Sequence, residues 1–424
     1  MSASQELQKL SEELIRCNKC GFCLAGCPIY KATGIEWTVA RGRLALLHSV
    51  LNNEIELHEL NEPIFNCLTC NCCTDHCPVG IMTDEIILKA KAELLKERGQ
   101  PWIQKLIFRK LLSNPSRLHQ LVRPLGWLQA SGLRSAARAL GLTKLLGHIG
   151  KAEPILPPVP SGHHITSASS PRLENPKYRV AYFAGCVGIN LTPHVTEAAI
   201  RVLNKHDVEV VIPDFVCCGM PAYGYGDIES VLTMAKKNLN LARSLEVDAI
   251  ITTCATCGSL LKRYPSLLSE DASYSAQANA FANQVKDISE FLVDIGLNNK
   301  MDTLKHRVTY HDPCHLGRFQ KVTSQPRQIL QSIPGVEFIE MAESNICCGA
   351  AGSYNIGHYD LSMKVLARKM QNVAKTDADL LVTCCPGCSM QLAHGIREHR
   401  LEMKSMELIE LLDLAYQSTS KEAS

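Results

Sequence analysis

Through its second half the chain alternates short runs of β-branched and apolar residues with longer segments of helical period. The runs are Val180-Ala181-Tyr182-Phe183, Val208 to Ile212 and Ala249-Ile250-Ile251, then Val308-Thr309-Tyr310, Val336 to Ile339 and Leu380-Leu381-Val382. Each has the length and composition of a strand. Helical patterns lie between them, at Thr196 to Asn204, Asp227 to Ser244 and Asp360 to Lys375. Strands alternating with helices imply parallel sheets with right-handed crossovers, and such sheets bind ligands beyond the carboxyl ends of their strands. The first hundred residues lack this alternation and carry helical stretches around Arg43 to Leu57 and at Thr83 to Arg98. From Pro101 to Gly150, Ile103, Leu106, Ile107, Leu111 and Leu112 recur at helical intervals. Lys151 to Lys177 holds Pro154, Pro157, Pro158, Pro160, Pro171 and Pro176, which break regular helix and central strand alike. The pattern predicts a multidomain α plus α/β protein: a helical domain over 1–100, a helical connector over 101–150, a linker over 151–177, and two repeated α/β domains with parallel sheets over 178–300 and 301–424.

At 424 residues and 46% hydrophobic content, the chain has ample material for packed cores. The net charge of +2 argues against nucleic acid as a general partner. Charge is nonetheless uneven, because residues 101–150 contain Lys105, Arg109, Lys110, Arg117, Arg123, Arg134, Arg138 and Lys144, no acidic residue, and both Trp102 and Trp127. Basic residues beside an apolar period suit a segment that docks on a subunit or lies on a membrane surface; the plainer alternative is a solvated basic face. The long uncharged stretch Val180 to Thr196 is interrupted by Gly185, Gly188, Asn190, Pro193 and His194, so no transmembrane helix is expected. Disulfide-dense chains are short and secreted, whereas this one begins Met1-Ser2-Ala3-Ser4 without an apolar leader. Its 20 cysteines therefore point to a reducing cytoplasm, with peripheral attachment to the inner face of the cell membrane an open possibility.

Eight of those cysteines fall in two identical runs, Cys17-x2-Cys20-x2-Cys23-x3-Cys27-Pro28 and Cys67-x2-Cys70-x2-Cys73-x3-Cys77-Pro78. This is the run of bacterial two-cluster ferredoxins, in which three closely spaced thiolates take one cluster and the fourth ligates the other. On that crossed pattern Cys17, Cys20, Cys23 and Cys77 hold one [4Fe-4S] cluster, and Cys67, Cys70, Cys73 and Cys27 hold another. Structural zinc also favours C-x2-C, yet has no use for a third cysteine at the same interval followed by Cys-Pro. Lys19, Arg16, Arg41 and Arg43 near the first run would favour cluster reduction if they lie close, or else serve solubility.

Ten more cysteines form an internal repeat. Cys186, Cys217-Cys218-Gly219 and Cys254-x2-Cys257 recur as Cys314, Cys347-Cys348-Gly349 and Cys385-x2-Cys388. All follow strand-like runs, so the parallel topology brings the five of each repeat to one sheet edge. Five thiolates exceed the need of a cubane or a tetrahedral zinc, which suggests a different cluster; buried structural cysteine with a zinc knuckle is the alternative. Gly219 and Gly349 would let the backbone approach a bulky inorganic core. Cys72 and Cys384 are left over as buried thiols.

Paired ferredoxin runs followed by two cysteine-rich CCG repeats, together with Arg41-Gly42-Arg43 between the runs, resemble the iron–sulfur subunit of glycolate oxidase and its relatives. These include lactate-utilisation iron–sulfur proteins, the C subunit of anaerobic glycerol-3-phosphate dehydrogenase and the D subunit of heterodisulfide reductase. The resemblance covers nearly the whole chain. It implies two [4Fe-4S] clusters, one or two further noncubane iron–sulfur clusters (or zinc) in the CCG domains, and a separate flavoprotein subunit carrying FAD, with quinone at the membrane or a further iron–sulfur or electron-carrier subunit as acceptor. In glycolate oxidase subunits the last Cys-x2-Cys is often incomplete, whereas Cys254/Cys257 and Cys385/Cys388 are both intact, as in the heterodisulfide reductase branch.

No G-x-G-x-x-G follows a strand; Gly224-Tyr225-Gly226 lacks the third glycine. Hydride chemistry is therefore assigned to a partner's flavin and one-electron relay to this chain, an oxidoreductase subunit of the glycolate or lactate dehydrogenase type with a non-NAD acceptor. Two alternatives are a heterodisulfide-reductase-like subunit that reduces a disulfide at a CCG cluster, and a redox-sensing or structural metal protein. His311 and His315 flank Cys314 and are the candidate proton donors, although a histidine in such a setting more often hydrogen-bonds a buried carbonyl.

Overall fold

A computed structural model describes residues 5–131, 134, 138, 140–141, 147–159 and 171–417. Lys144, the side chain of Trp127 and the linker residues 160–170, Pro160 among them, lie outside these.

Two four-stranded parallel sheets form the second half. The first comprises β1 (Tyr178–Tyr182), β2 (Val208–Val211), β3 (Ala249–Thr252) and β4 (Val285–Asp287) in the order β2-β1-β3-β4. The second comprises β5 (His306–Tyr310), β6 (Val336–Ile339), β7 (Leu380–Thr383) and β8 (Lys404–Glu407) in the order β6-β5-β7-β8. Val180 pairs with Val210 and Ala249, and Val308 with Phe338 and Leu380, so the registers of the two sheets correspond. β3 and β7 are buried along their whole length, which is why they read as unbroken apolar runs. β4 and β8 escape the sequence pattern because they are short edge strands with Lys286 and Lys404 in them. The crossover helices fall close to the expected spans, at Pro193–Asn204, Ile228–Ala242 and Tyr359–Ala374. Asp227 fixes the start of the second, its Oδ1 accepting from Ser230 N at 3.0 Å.

The repeats share one core. Helix Pro193–Asn204 packs on the C-terminal helix Leu408–Gln417, where Arg201 meets Asp413 at 2.7 Å. The Ala255 N–H also donates to the Cys384 carbonyl across the seam, at 3.2 Å.

In the N-terminal domain, helix Thr83–Arg98 matches its expected span, whereas the preceding helix runs Ala40–Leu51 and stops before Asn53, a residue with φ of 56°. Leu7, Leu10, Leu14, Leu44, Leu47, Ile64, Ile87 and Leu94 close its small core. This domain is clamped to both repeats. Asp84, nearly buried, is paired with Arg263 at 2.6 Å, and Tyr354 Oη donates to the Asn66 carbonyl at 3.2 Å. Removing one partner of such a buried pair strands the other and costs about 3–5 kcal/mol. Gly226 explains the incomplete glycine motif: φ is 84°, and a Cβ there would lie 2.6 Å from the backbone of Lys91 and Ala92. The motif is a domain-docking contact, not a nucleotide loop.

The basic connector is helical, at Trp102–Leu106 and Pro115–Ala130, with a π-turn over Ile107–Leu111 between them. Trp102, Ile103 and Leu106 are exposed while Phe108 is buried against Tyr225. The linker departs from expectation at its start. A helix over Gly147–Ala152 and a 3-10 turn over Glu153–Ile155 carry the chain onto the second repeat, because Arg134 and Arg138 both clasp Glu153, and Ala152 and Ile155 are buried. Pro154 is tolerated there because the first turn of a helix needs no N–H. Among the described residues, no helix is long and apolar enough to cross a membrane.

Candidate metal centres

The two ferredoxin-type runs have matching backbones. Lys19 and Thr69 have φ of 53° and 48°, and Gly21 and Asn71 have φ of 89° and 62°. Left-handed residues are costly for threonine in particular, and they turn the chain sharply between successive cysteines so that thiols two residues apart share one side. Cys27 then caps helix Pro28–Thr33, accepting from Tyr30 N at 3.5 Å, with Pro28 in the first turn.

Cys17, Cys20, Cys23 and Cys77 line one cavity. Cys27, Cys67, Cys70 and Cys73 line another together with Cys72, and Cys73 reaches both. The first lies at the surface, with Cys20 exposed; in the second, Cys27 and Cys70 are buried. Burial pushes the Cys27, Cys70 and Cys73 thiols up, so they ionise readily only against a cation. Each cavity also has an orphaned donor. Arg41 Nε in the first and Arg43 Nη2 in the second are buried and find no hydrogen-bond partner among the described residues. Buried donors are rarely left unpaired, and sulfide-rich clusters would accept from them. Of the cations expected near the first run, Arg16 and Lys19 are exposed, and only Arg41 and Arg43 line the cavities.

Two further buried cations surround the second cavity, and the sequence reading missed both. Lys91 Nζ donates to the carbonyls of Cys67 (3.2 Å) and Gly224 (3.1 Å), and burial lowers its pKa to about 8. Arg318 Nη1 donates to the Cys70 carbonyl at 3.3 Å and Nη2 to that of Asn345 at 2.6 Å. Burial opposes its charge, yet Cys70, Cys72, Cys314 and Cys347 together hold its pKa above the ordinary value. Arg318 therefore sits between the ferredoxin-type site and the second repeat. Its position four residues after Cys314, one helical turn on, was the available signal.

At the carboxyl ends of the strands the ten repeat cysteines form a row of neighbouring, electrostatically coupled thiols, with Cys217 and Cys186 hydrogen-bonded at 3.8 Å. In the first repeat the order is Cys186, Cys217, Cys218, Cys257, Cys254. In the second it is Cys314, Cys347, Cys348, Cys388, Cys385, and the rows meet where Cys254 touches Cys385. Flanking thiols favour the ionised form at three members: Cys217 and Cys257 lower the pKa of Cys218, Cys314 and Cys348 that of Cys347, and Cys254 and Cys388 that of Cys385. Cys70 falls in one packed cluster with Cys314 and Cys347, which brings the row up to the ferredoxin-type domain.

The CCG glycines serve packing more than close approach to a core. Gly219 and Gly349 have φ of 103° and 91°, and a Cβ on Gly349 would meet the Ser362 carbonyl at 2.8 Å. The helix behind each CCG loop holds it with a different residue. Asn238 Nδ2 donates to the Cys217 carbonyl at 3.4 Å in the first repeat. In the second, Lys369 Nζ donates to the carbonyls of Glu343 (2.6 Å) and Ser344 (3.1 Å), placing a cation, its pKa lowered by burial to about 8, beside Cys347 and Cys348. The two leftover thiols are buried, as expected. Cys384 accepts from Tyr310 Oη at 3.4 Å, where the first repeat pairs Tyr182 with Thr253 at 2.8 Å. Cys72 lies under Gly26, close to His76.

His311 and His315 part company. His311 is fully buried and Nδ1 donates to the Ser344 carbonyl at 3.1 Å, while burial lowers its pKa to about 3. His315 is half-buried, hydrogen-bonded to Ser259 Oγ of the other repeat at 2.7 Å and stacked on Phe319. Burial lowers its pKa to about 4.

Thiol-lined cavities with orphaned donors, continuous with buried thiol rows, define an iron–sulfur electron-transfer protein that works as part of an oxidoreductase. Residues 13–81 match the 4Fe-4S dicluster domain, 99–156 the linker region of the glycolate oxidase iron-sulfur subunit, and 180–262 and 308–393 the cysteine-rich domain. A probable glycolate oxidase iron-sulfur subunit of Bacillus subtilis is 34% identical over 97% of this chain and 95% of its own length. The D subunit of the dihydromethanophenazine:CoB–CoM heterodisulfide reductase of Methanosarcina acetivorans is 28% identical over 94% of this chain and 93% of its own. Among solved structures, a hypothetical protein from Helicobacter pylori shares the fold at a TM-score of 0.55, with 11% identity over 97% of this chain and 72% of its own. The chain belongs to the family that includes glycolate oxidase iron–sulfur subunits, lactate-utilisation iron–sulfur proteins and the D subunit of heterodisulfide reductase.

Proposed function

We propose that the chain is the electron-transfer subunit of a flavin-dependent 2-hydroxyacid dehydrogenase acting on glycolate or lactate, relaying electrons from a partner flavoprotein that carries FAD to quinone or another carrier. In this reading Cys17, Cys20, Cys23 and Cys77 hold one [4Fe-4S] cluster and Cys27, Cys67, Cys70 and Cys73 a second, while the five-cysteine rows hold noncubane clusters or zinc. When bound, such clusters take and release single electrons, which a flavin's two-electron oxidation of a hydroxyacid requires on the way to a carrier. The observation that carries the proposal is the succession of thiols: exposed Cys20 lines one cavity, Cys73 lines that cavity and the next, buried Cys70 packs in one cluster with Cys314 and Cys347, and the row of repeat cysteines leads on to Cys186 in the far repeat. Around the middle of this route the chain supplies Arg43, Lys91 and Arg318 as buried cations, which favour the added negative charge of reduction. Full-length similarity to a glycolate oxidase iron–sulfur subunit supports the choice of hydroxyacid.

The test is anaerobic co-purification with a co-expressed flavoprotein of the glycolate or lactate dehydrogenase type, followed by glycolate or lactate. Cluster EPR signals should appear on addition of one of these acids. A complex that stays silent with both, yet changes its spectrum when a disulfide is added, would establish the second reading instead. That reading, a disulfide reductase of the heterodisulfide reductase type, is favoured by the two complete five-cysteine rows and by the full-length match to the D subunit of such an enzyme.

The exposed Trp102, Ile103 and Leu106, with exposed Lys105, Lys110, Arg117 and Arg123 along the same connector, suit peripheral attachment to an anionic membrane face, where quinone is found. Each basic residue near such a surface contributes about 1 kcal/mol. Changing those four to glutamine should therefore weaken co-sedimentation with anionic liposomes by roughly fivefold per charge. Sedimentation unaffected by all four changes refutes the membrane role.

A further inference from the structure

Among the buried positions beside the thiol rows at which the two repeats differ, one brings in an imidazole. The residue immediately after the central strand is Phe183 in the first and His311 in the second. The backbones are equivalent, since Phe183 N donates to the Ile251 carbonyl at 2.8 Å and His311 N to the Val382 carbonyl at 2.9 Å. Phe183 packs on Phe215. His311 has no such role, being 1% exposed and bonded through Nδ1 to the Ser344 carbonyl. A carbonyl oxygen only accepts, so Nδ1 carries the proton and Nε2 presents its lone pair. That Nε2 is buried and has no hydrogen-bond partner among the described residues. Through a ring nitrogen, His311 forms with the sulfurs of Cys348 and Cys388 a group whose ligand atoms are all within 4.8 Å of one another, and Nε2 is the ring nitrogen that the Ser344 carbonyl leaves uncommitted. A ring nitrogen tied to a backbone carbonyl, with the opposite nitrogen free and facing thiolates, is the arrangement by which proteins orient a metal-bound imidazole. The neighbouring His315 does not share it, because its Nδ1 is engaged by Ser259 and its ring by Phe319.

We propose that His311 Nε2 is a nitrogen ligand to the metal centre of the second cysteine-rich site, so that this site has mixed sulfur and nitrogen ligation while the first has sulfur alone. The inference rests on the reading above that the second row holds metal. Imidazole and thiolate together suit iron or zinc. Where the metal is iron, a neutral imidazole in place of a thiolate makes the centre less negative and raises its potential, as it does when histidines replace cysteines on an iron–sulfur cluster. The second site is then the one on which electrons settle.

The experiment uses the full chain, purified anaerobically and labelled with 15N-histidine, with iron and zinc counted and compared with a Cys347→Ser/Cys388→Ser variant to assign the metal of this site. Pulsed EPR of the reduced protein should report a nitrogen coupling of directly bound strength. For a zinc occupant, zinc-edge X-ray absorption should report one nitrogen neighbour. His311→Phe, which installs the residue of the first repeat, should abolish that signal, and His315→Phe should preserve it. Wild-type protein with metal in the site and no bound nitrogen overturns the role of His311 alone, whether or not the variant folds. A nitrogen signal that survives His311→Phe does the same. A second site without metal overturns this inference together with the reading it rests on.

Discussion

Replacing Cys20 and Cys70 together with serine is expected to uncouple the assembled complex from its natural acceptor while leaving substrate oxidation by the flavoprotein measurable with an artificial dye. Cys20 is the exposed thiol of the first cavity, and Cys70 is the thiol of the second that packs in one cluster with Cys347. Their loss removes one thiol from each ferredoxin-type cavity, at the surface and at the junction with the second repeat, and on the proposed reading one ligand from each cluster. Losing even an outer partner of a metal ligand costs up to about a hundredfold in activity or affinity, so loss of the ligands themselves should reduce quinone-linked turnover by at least that factor. The dye-linked rate, read in the same preparation, should stay within about twofold, on the principle that well-separated sites act independently. Unchanged quinone-linked turnover would mean that electrons do not pass through these sites.

Changing Arg318 to methionine should make the second ferredoxin-type site harder to reduce. The guanidinium is 6% exposed and touches the Cys70 backbone directly, and its acidic partner Asp75, at 3.4 Å, lies at the more exposed edge. At an effective dielectric of about 20, removing a charge this close disfavours the added electron by on the order of 2 kcal/mol, about a thirtyfold fall in the ratio of reduced to oxidised site at a fixed potential. Arg318→Lys should recover much of that ratio, because it keeps the charge while losing the forked hydrogen bonds. An EPR-monitored redox titration in which Arg318→Met and wild type coincide would show that the guanidinium serves packing alone. Methionine retains most of the apolar stem, so the comparison isolates the charge.

How much of the fold and the sites is legible in the sequence depends on the kind of signal. Six of the eight strands are readable: the central β1, β3, β5 and β7 because a strand between two neighbours is largely apolar, as at Ile250 and Leu381, and the edge strands β2 and β6 because they are rich in β-branched and aromatic residues. The edge strands Val285–Asp287 and Lys404–Glu407 are not, since they are short and each carries a lysine. The cysteines announce themselves by spacing, and the parallel topology explains their convergence. Their electrostatic surroundings are hidden. Lys91 and Arg318 look like ordinary helix-surface cations until three domains close over them, and of the buried cations around the second cavity only Arg43, close to a cysteine run, is anticipated. Gly226 is readable as part of a glycine motif but not as a contact, because its partner, the backbone of Lys91 and Ala92, lies far away in the sequence. The docked start of the linker is concealed by its prolines, whose helix-breaking reputation does not extend to a first turn.

The seam at which Cys254 meets Cys385, and Ala255 bonds the Cys384 carbonyl, has a consequence for descent. Two copies of an ancestral unit that share such a boundary are no longer free to drift apart. A substitution in either half is felt at once by its sibling, and a gene broken between them would yield two fragments, each with an open wall of thiols. Divergence has been slight at the joint, where Thr253 answers to Cys384, and bolder behind it, where phenylalanine has given way to histidine.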